Sequence, residues 1–129
     1  MNDLKPRLQC LQNLPGAAAV SVLRLDELDT YVTGNKGYKL KHNLLQMQAE
    51  GHERLLTFGG AYSNHLVAVA AAGRRLGIET IGVVRGELYE PLNPRLSFAA
   101  SCGMHLHAMS RDDYRHKASE QILSLSLIH

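Results

Sequence analysis

Two short segments concentrate the side chains that could do chemistry. The first is TGNKGYKL, residues 33–40, with Lys36 where a helix should begin. An ammonium group there opposes the helix macrodipole, whereas an uncharged amine bonded to an aldehyde suits the position, so Lys36 is a candidate for amine–carbonyl chemistry. Position alone favours the plainer reading, a solvated surface lysine. The second segment is GGAYSNH, residues 59–65. Paired glycines let a backbone approach a ligand, and the free N–H groups of a following helix face an anion. Ser63 and Asn64 would present a hydroxyl and an amide at the same point. The plainer reading is a turn followed by an N-cap, and the segment in isolation favours it.

Both segments need elements to position them. Residues 20–25 (VSVLRL) read as a short strand, and Leu40, Leu44, Leu45 and Met47 recur at helical steps within 38–50, with Gly51 as a stop. Residues 54–58 (RLLTF) read as a strand running into the glycine pair. Residues 65–76 form an alanine-rich helix ending at Gly77, and 78–84 (IETIGVV) a strand of the kind buried in parallel sheets. Beyond Pro91 and Pro94, a short helix over 95–102 and a strand over 104–108 (MHLHA) follow. A helix capped by Asp112 or Asp113 then runs to about residue 125. This alternation predicts an α/β class with a mainly parallel sheet and helices on both faces. Ligands in such sheets gather at the carboxyl ends of strands, where residues 59–65 fall.

Composition excludes several classes. The 129 residues are 45% apolar and 20% charged, which is globular rather than disordered. A net charge of +2, with basic residues scattered among acidic ones, argues against nucleic acid. No run approaches the ~20 apolar residues that cross a bilayer, so no membrane role is expected. The N-terminal segment has charges and prolines where a signal peptide has its apolar core. Cys10 and Cys102 lie far apart, which fits reduced thiols in the cytoplasm.

GNKGYKL followed by TFGGAYSNH resembles the GNKxRKL and (I/G)GxxSNH motifs of pyridoxal-phosphate enzymes with a tryptophan-synthase-β-like fold. Within them it looks most like the 1-aminocyclopropane-1-carboxylate deaminase and D-cysteine desulfhydrase family. Arg24-Leu25-Asp26-Glu27 resembles a degraded form of the basic-acidic segment preceding the lysine motif, and Tyr38 stands where the family has arginine. The resemblance runs from about residue 20 to residue 117. It implies pyridoxal 5'-phosphate as cofactor and a small amino acid as substrate. Lys36 would bond the cofactor as a Schiff base and move protons. Asn64 would contact the cofactor ring near its phenolic oxygen, with His65 at the neighbouring cofactor-binding position. Ser63 would assist proton transfer or hold the substrate carboxylate, and Lys39 would act structurally or electrostatically. Family members run to more than twice this length. The expectation is therefore an N-terminal segment with the lysine motif (1–50) and a small α/β domain (51–129), without the C-terminal half that cradles the phosphate.

The alternative is a truncated, catalytically inactive remnant serving as a small α/β binding or interaction module. Either way, the face a second domain would cover predicts a homo-oligomer. His105 and His107 share one face of a strand, but a metal site lacks an evident third ligand, and no metal is expected. Residues 122–128 read as core or interface.

Overall fold

Alanine-rich sequence and a capped start define the central helix. In the computed structural model, which describes residues 5–13, 15, 16, 19–29, 31, 32 and 36–116, helix α2 spans Asn64–Leu76. Ser63 is its N-cap, and Gly77, in the left-handed region at φ 66°, ends it. Ala68, Val69, Ala70, Ala71 and Ala72 are all buried. Small side chains let the helix lie close to the sheet beneath. A Cβ added at Gly73 would come within 2.3 Å of the Thr80 methyl.

That sheet consists of β3 (Arg54–Gly60), β4 (Glu79–Arg85) and β5 (His105–Met109), in the order β3-β4-β5 and all parallel. Its middle strand buries Thr80 and Ile81 together with Val83 and Val84, as expected for a strand covered on both faces. Helix α3 (Pro94–Ser101) makes the second crossover. Successive right-handed crossovers along one strand order deliver their helices to the same face, and α2 and α3 pack on each other there. The opposite face carries Leu56, Phe58, Val83 and Met109. Tyr114 of the short helix α4 (Arg111–Arg115) packs on it, edge-on to Phe58 at 5.9 Å. Helix α1 (Lys36–Ala49) turns Leu40, Leu44 and Met47 inward, and it contacts α2.

The α/β class with a parallel sheet and helices on both faces is therefore as the sequence reads, with two differences. A strand β1 (Arg7–Leu11) pairs antiparallel with β2 (Val20–Arg24), so residues 20–24 form an exposed hairpin outside the parallel sheet. Its apolar and polar residues do not separate onto a buried face, which is why only one of the two strands is legible. The Arg24–Glu27 segment ties this hairpin down. Arg7 grips Glu27 at 2.9 and 2.7 Å and Arg24 grips Asp26, both pairs exposed and of little energetic weight. Finally, Ser110 rather than Asp112 or Asp113 caps α4. Its Oγ accepts the Asp113 N–H while its hydroxyl donates to the Asp113 carboxylate at 2.8 Å. The expected chain break at residues 33–35, the helix beyond residue 116 and the apolar stretch 122–128 lie outside the described residues. Among the described residues no helix is long and apolar enough to cross a membrane.

The lead-in to α1 is anchored on both helices. Asp29 accepts the N–H groups of Tyr31 and Val32 at 2.9 and 3.0 Å and pairs with Arg75 near the end of α2. Tyr31 stacks on Phe98 of α3 at 4.4 Å, and Val32 is buried. The Arg75 hydrogen bond, helped by the two backbone N–H groups, holds the Asp29 carboxyl down at about 2, against an ordinary 3.8. A carboxylate with a depressed folded pKa adds stability above its ordinary pKa and loses it as pH falls through the folded value. Asp29→Asn should thus cost on the order of 1 kcal/mol at pH 7, the half-exposed guanidinium being screened by solvent. In urea melts the gap to the unsubstituted chain should close as pH approaches 2, and a gap constant with pH would contradict this origin.

Candidate functional site

Strand β3 ends in Gly59-Gly60, and the chain reverses through a turn in which the Ser63 N–H donates to the Gly60 carbonyl at 3.0 Å. This reversal needs a bare Cα at residue 59. A Cβ there would meet the Ser63 hydroxyl at 2.7 Å and Leu66 at 2.8 Å. Ser63 Oγ accepts the Leu66 N–H at 3.3 Å, capping α2. Asn64 is exposed at the first position of the helix, and its Oδ1 accepts from Arg95 Nη1. The same nitrogen donates to the Tyr62 carbonyl at 3.1 Å. Asn93 Nδ2 donates to the Ala61 carbonyl at 2.9 Å, while its Oδ1 caps α3 through the Arg95 and Leu96 N–H groups. The N-cap and first turn of α3 therefore hold Ala61, Tyr62 and Asn64 of this loop.

Lys36 is half-buried at the first position of α1, and Lys39 is exposed one turn on. Their charges reach His65. Burial pushes the half-buried His65 imidazole below its usual pKa, and Lys36 and then Lys39 push it further the same way. Lys36, distant in sequence, thus shares one electrostatic neighbourhood with the residue beside Asn64. An NMR titration should find the His65 midpoint below the ordinary 6.5. Because the folded pKa is depressed, stability linked to this group is present above that value and is lost as pH falls through the folded midpoint. Lys36→Met should raise the midpoint without restoring it fully, since burial remains. A midpoint that Lys36→Met leaves in place would separate the two residues.

Two clefts flank the N-terminus of α2. One of about 320 Å³ lies between α1, β3 and α2, lined by Leu40, Asn43, Thr57, Phe58, His65 and Val69 among others. A larger one, about 780 Å³, sits at the carboxyl ends of the strands and is lined by Ala61, Tyr62, Arg85, Tyr89, Asn93 and Arg111 among others. Lys36, Ser63, Asn64 and His65 do not line the larger cleft. Volume is a property of any crevice at a sheet edge, whereas hydroxyl, amide and imidazole sit together at the first turn of α2 and the Lys36 charge acts on that imidazole, so the candidate site is placed there. Sequence reasoning missed Asn93 and Arg95. The Asn-Pro pair signals a helix start and nothing about the loop it holds. Among the described residues no group of three His, Cys, Asp or Glu is placed to hold a metal. His105 lies 3.6 Å from Glu79.

Comparison with known proteins gives two likenesses. A family model described as the DUF4784 WD40-like domain matches residues 3–126. Propeller blades are four-stranded antiparallel sheets, so the parallel β3-β4-β5 sheet with helical crossovers does not share the architecture that this description names. A protein of Pyrococcus horikoshii named "Putative 1-aminocyclopropane-1-carboxylate deaminase" is 33% identical over 90 residues, covering 66% of this chain and 28% of that protein. A Pyrococcus abyssi protein of the same name is 34% identical over 68 residues, covering 53% of this chain and 21% of its own length. A crystal structure of an ACC deaminase homologue superposes with a TM-score of 0.67 at 26% identity, over 81% of this chain and 32% of that one. The chain belongs to the family of the matching model. Over the matched residues it is similar to proteins named putative 1-aminocyclopropane-1-carboxylate deaminase and shares the fold of an ACC deaminase homologue, and it spans under a third of their length.

Proposed function

We propose that this chain supplies the lysine and the asparagine-bearing loop of a pyridoxal-phosphate-dependent deaminase or desulfhydrase acting on a small amino acid such as 1-aminocyclopropane-1-carboxylate or D-cysteine. The observation that carries the reading is the shared neighbourhood of Lys36 and His65 beside Ser63 and Asn64, in a chain with these relatives. The residues present suit the cofactor. Gly59 keeps a side chain out of the turn, the first N–H groups of α2 have no intrahelical acceptor, and Asn64 offers an amide at the same point. Lys36 is the residue to hold the cofactor covalently and to carry protons. Asn64 would donate a hydrogen bond to it, His65 would border it, its imidazole held below the usual pKa by burial, and Ser63 would hold or move a proton beside the substrate. When bound, the cofactor supplies the electron sink, leaving the protein to orient the groups and exchange protons.

The chain's span of under a third of its relatives favours a second reading for the 129 residues taken alone, a binding module without turnover. Exposed Leu8 and Leu23 on the hairpin support self-association in either case. Titration with pyridoxal phosphate, followed in the visible range, with ammonia release from the two amino acids and light scattering, tests these readings. Cofactor binding with ammonia release supports the enzyme. Binding without release leaves the module, and no binding at millimolar cofactor refutes the cofactor assignment.

A further inference from the structure

We infer that Arg95 is a positioning residue for Asn64, fixing the side-chain amide so that its NH2 group points into the open site. Arginine is a donor only, with no acceptor to offer. The Asn64 atom that faces Arg95 Nη1 must then be Oδ1, and the NH2 is directed away from α3. Among the described residues that NH2 group has no acceptor, and Asn64 is exposed. Arg95 gains nothing else obvious from its place. It sits in the first turn of α3, where a cation opposes the helix dipole. Among the described residues it has no carboxylate partner within ion-pair distance. Its Nη1 instead spans the loop, holding the Tyr62 carbonyl at 3.1 Å as well as Asn64. An amide whose oxygen is turned toward Arg95 presents its NH2 group to the open side, and meets a ligand there as a donor. It therefore selects an anionic or carbonyl-type oxygen, and its rotation is stopped before the ligand arrives.

The ligand side of this inference rests on the cofactor reading above, under which the oxygen is the phenolic oxygen of pyridoxal phosphate. The test is therefore built on a signal that needs no cofactor. In 15N-labelled chain, the two Asn64 side-chain amide protons should be well separated and sharply dispersed from those of other asparagines. Arg95→Met, which keeps the stem and removes the donors, should collapse them toward the exposed-asparagine values with little change in thermal midpoint. Arg95→Lys, which keeps a donor, should restore part of the separation. With pyridoxal phosphate as the probe, Arg95→Met should also weaken binding roughly tenfold, as the loss of one oriented hydrogen bond would. Amide signals that Arg95→Met leaves unmoved overturn the inference, whether or not the cofactor binds. Absence of cofactor binding by the unsubstituted chain refutes the functional reading instead, and the amide comparison still decides the role of Arg95.

Discussion

Borohydride reduction of the chain equilibrated with pyridoxal phosphate is expected to fix one pyridoxyl group, and peptide mass should place it on Lys36. Lys36→Ala should reduce that label to the background shared by surface lysines, and any ammonia release should fall by roughly a thousandfold or more, as when a covalent catalytic group is deleted. The competitors are close in sequence, which makes the outcome informative. Lys39 lies one turn along α1 on nearly the same side and is more exposed, whereas Lys41 points about 140° away from Lys36. A lysine selected only by reactivity and access would be Lys39. A lysine selected by proximity to the first turn of α2 is Lys36, whose charge acts on His65 more strongly than that of Lys39. Label appearing mainly on Lys39 or Lys41 would refute the assignment and, with it, the reading of GNK as a cofactor motif in this chain.

Legibility in the sequence followed the physics of each element. The run β3-α2-β4-α3-β5 could be read to within a residue or two. Gly77, Asn93-Pro94 and Gly103 punctuate it, and β-branched strands alternate with an alanine-rich helix. Of the hairpin only β2 could be read, because exposed strands carry no buried face to impose a period of two. The face that α3 occupies followed from strand order, which local patterns do not encode. Within the site, Lys36, Ser63, Asn64 and His65 were visible as residue types near helix starts. Their grouping was not, since it depends on α1 packing against α2. The Arg95–Asn64 contact joins residues 31 apart through two helix termini, and the Asp29–Arg75 pair joins residues 46 apart. Such contacts are fixed by tertiary packing, and no spacing rule announces them.

Ser63→Ala separates the structural from the chemical role of the helix start, and its expected effect on turnover is the second largest. The hydroxyl oxygen already accepts the Leu66 N–H at 3.3 Å, so deletion removes an N-cap and should cost about 1 kcal/mol of stability. That bond uses a lone pair and leaves the hydroxyl proton free to be donated. Gly59 matters to the same atom, because its bare Cα is what lets the Ser63 side chain sit against the end of β3. If Ser63 holds or moves a proton beside the substrate, Ser63→Ala should slow ammonia release roughly a hundredfold in protein that remains folded, the usual size of a general acid–base contribution. The visible spectrum of the bound cofactor should be preserved, since Lys36 and Asn64 stay in place. Ser63→Thr keeps both the cap and the hydroxyl and should recover most of the stability and part of the rate. A Ser63→Ala variant that melts lower by about 1 kcal/mol yet turns over at the rate of the unsubstituted chain would leave Ser63 a cap alone. Proton movement would then have to be assigned to Lys36 by itself.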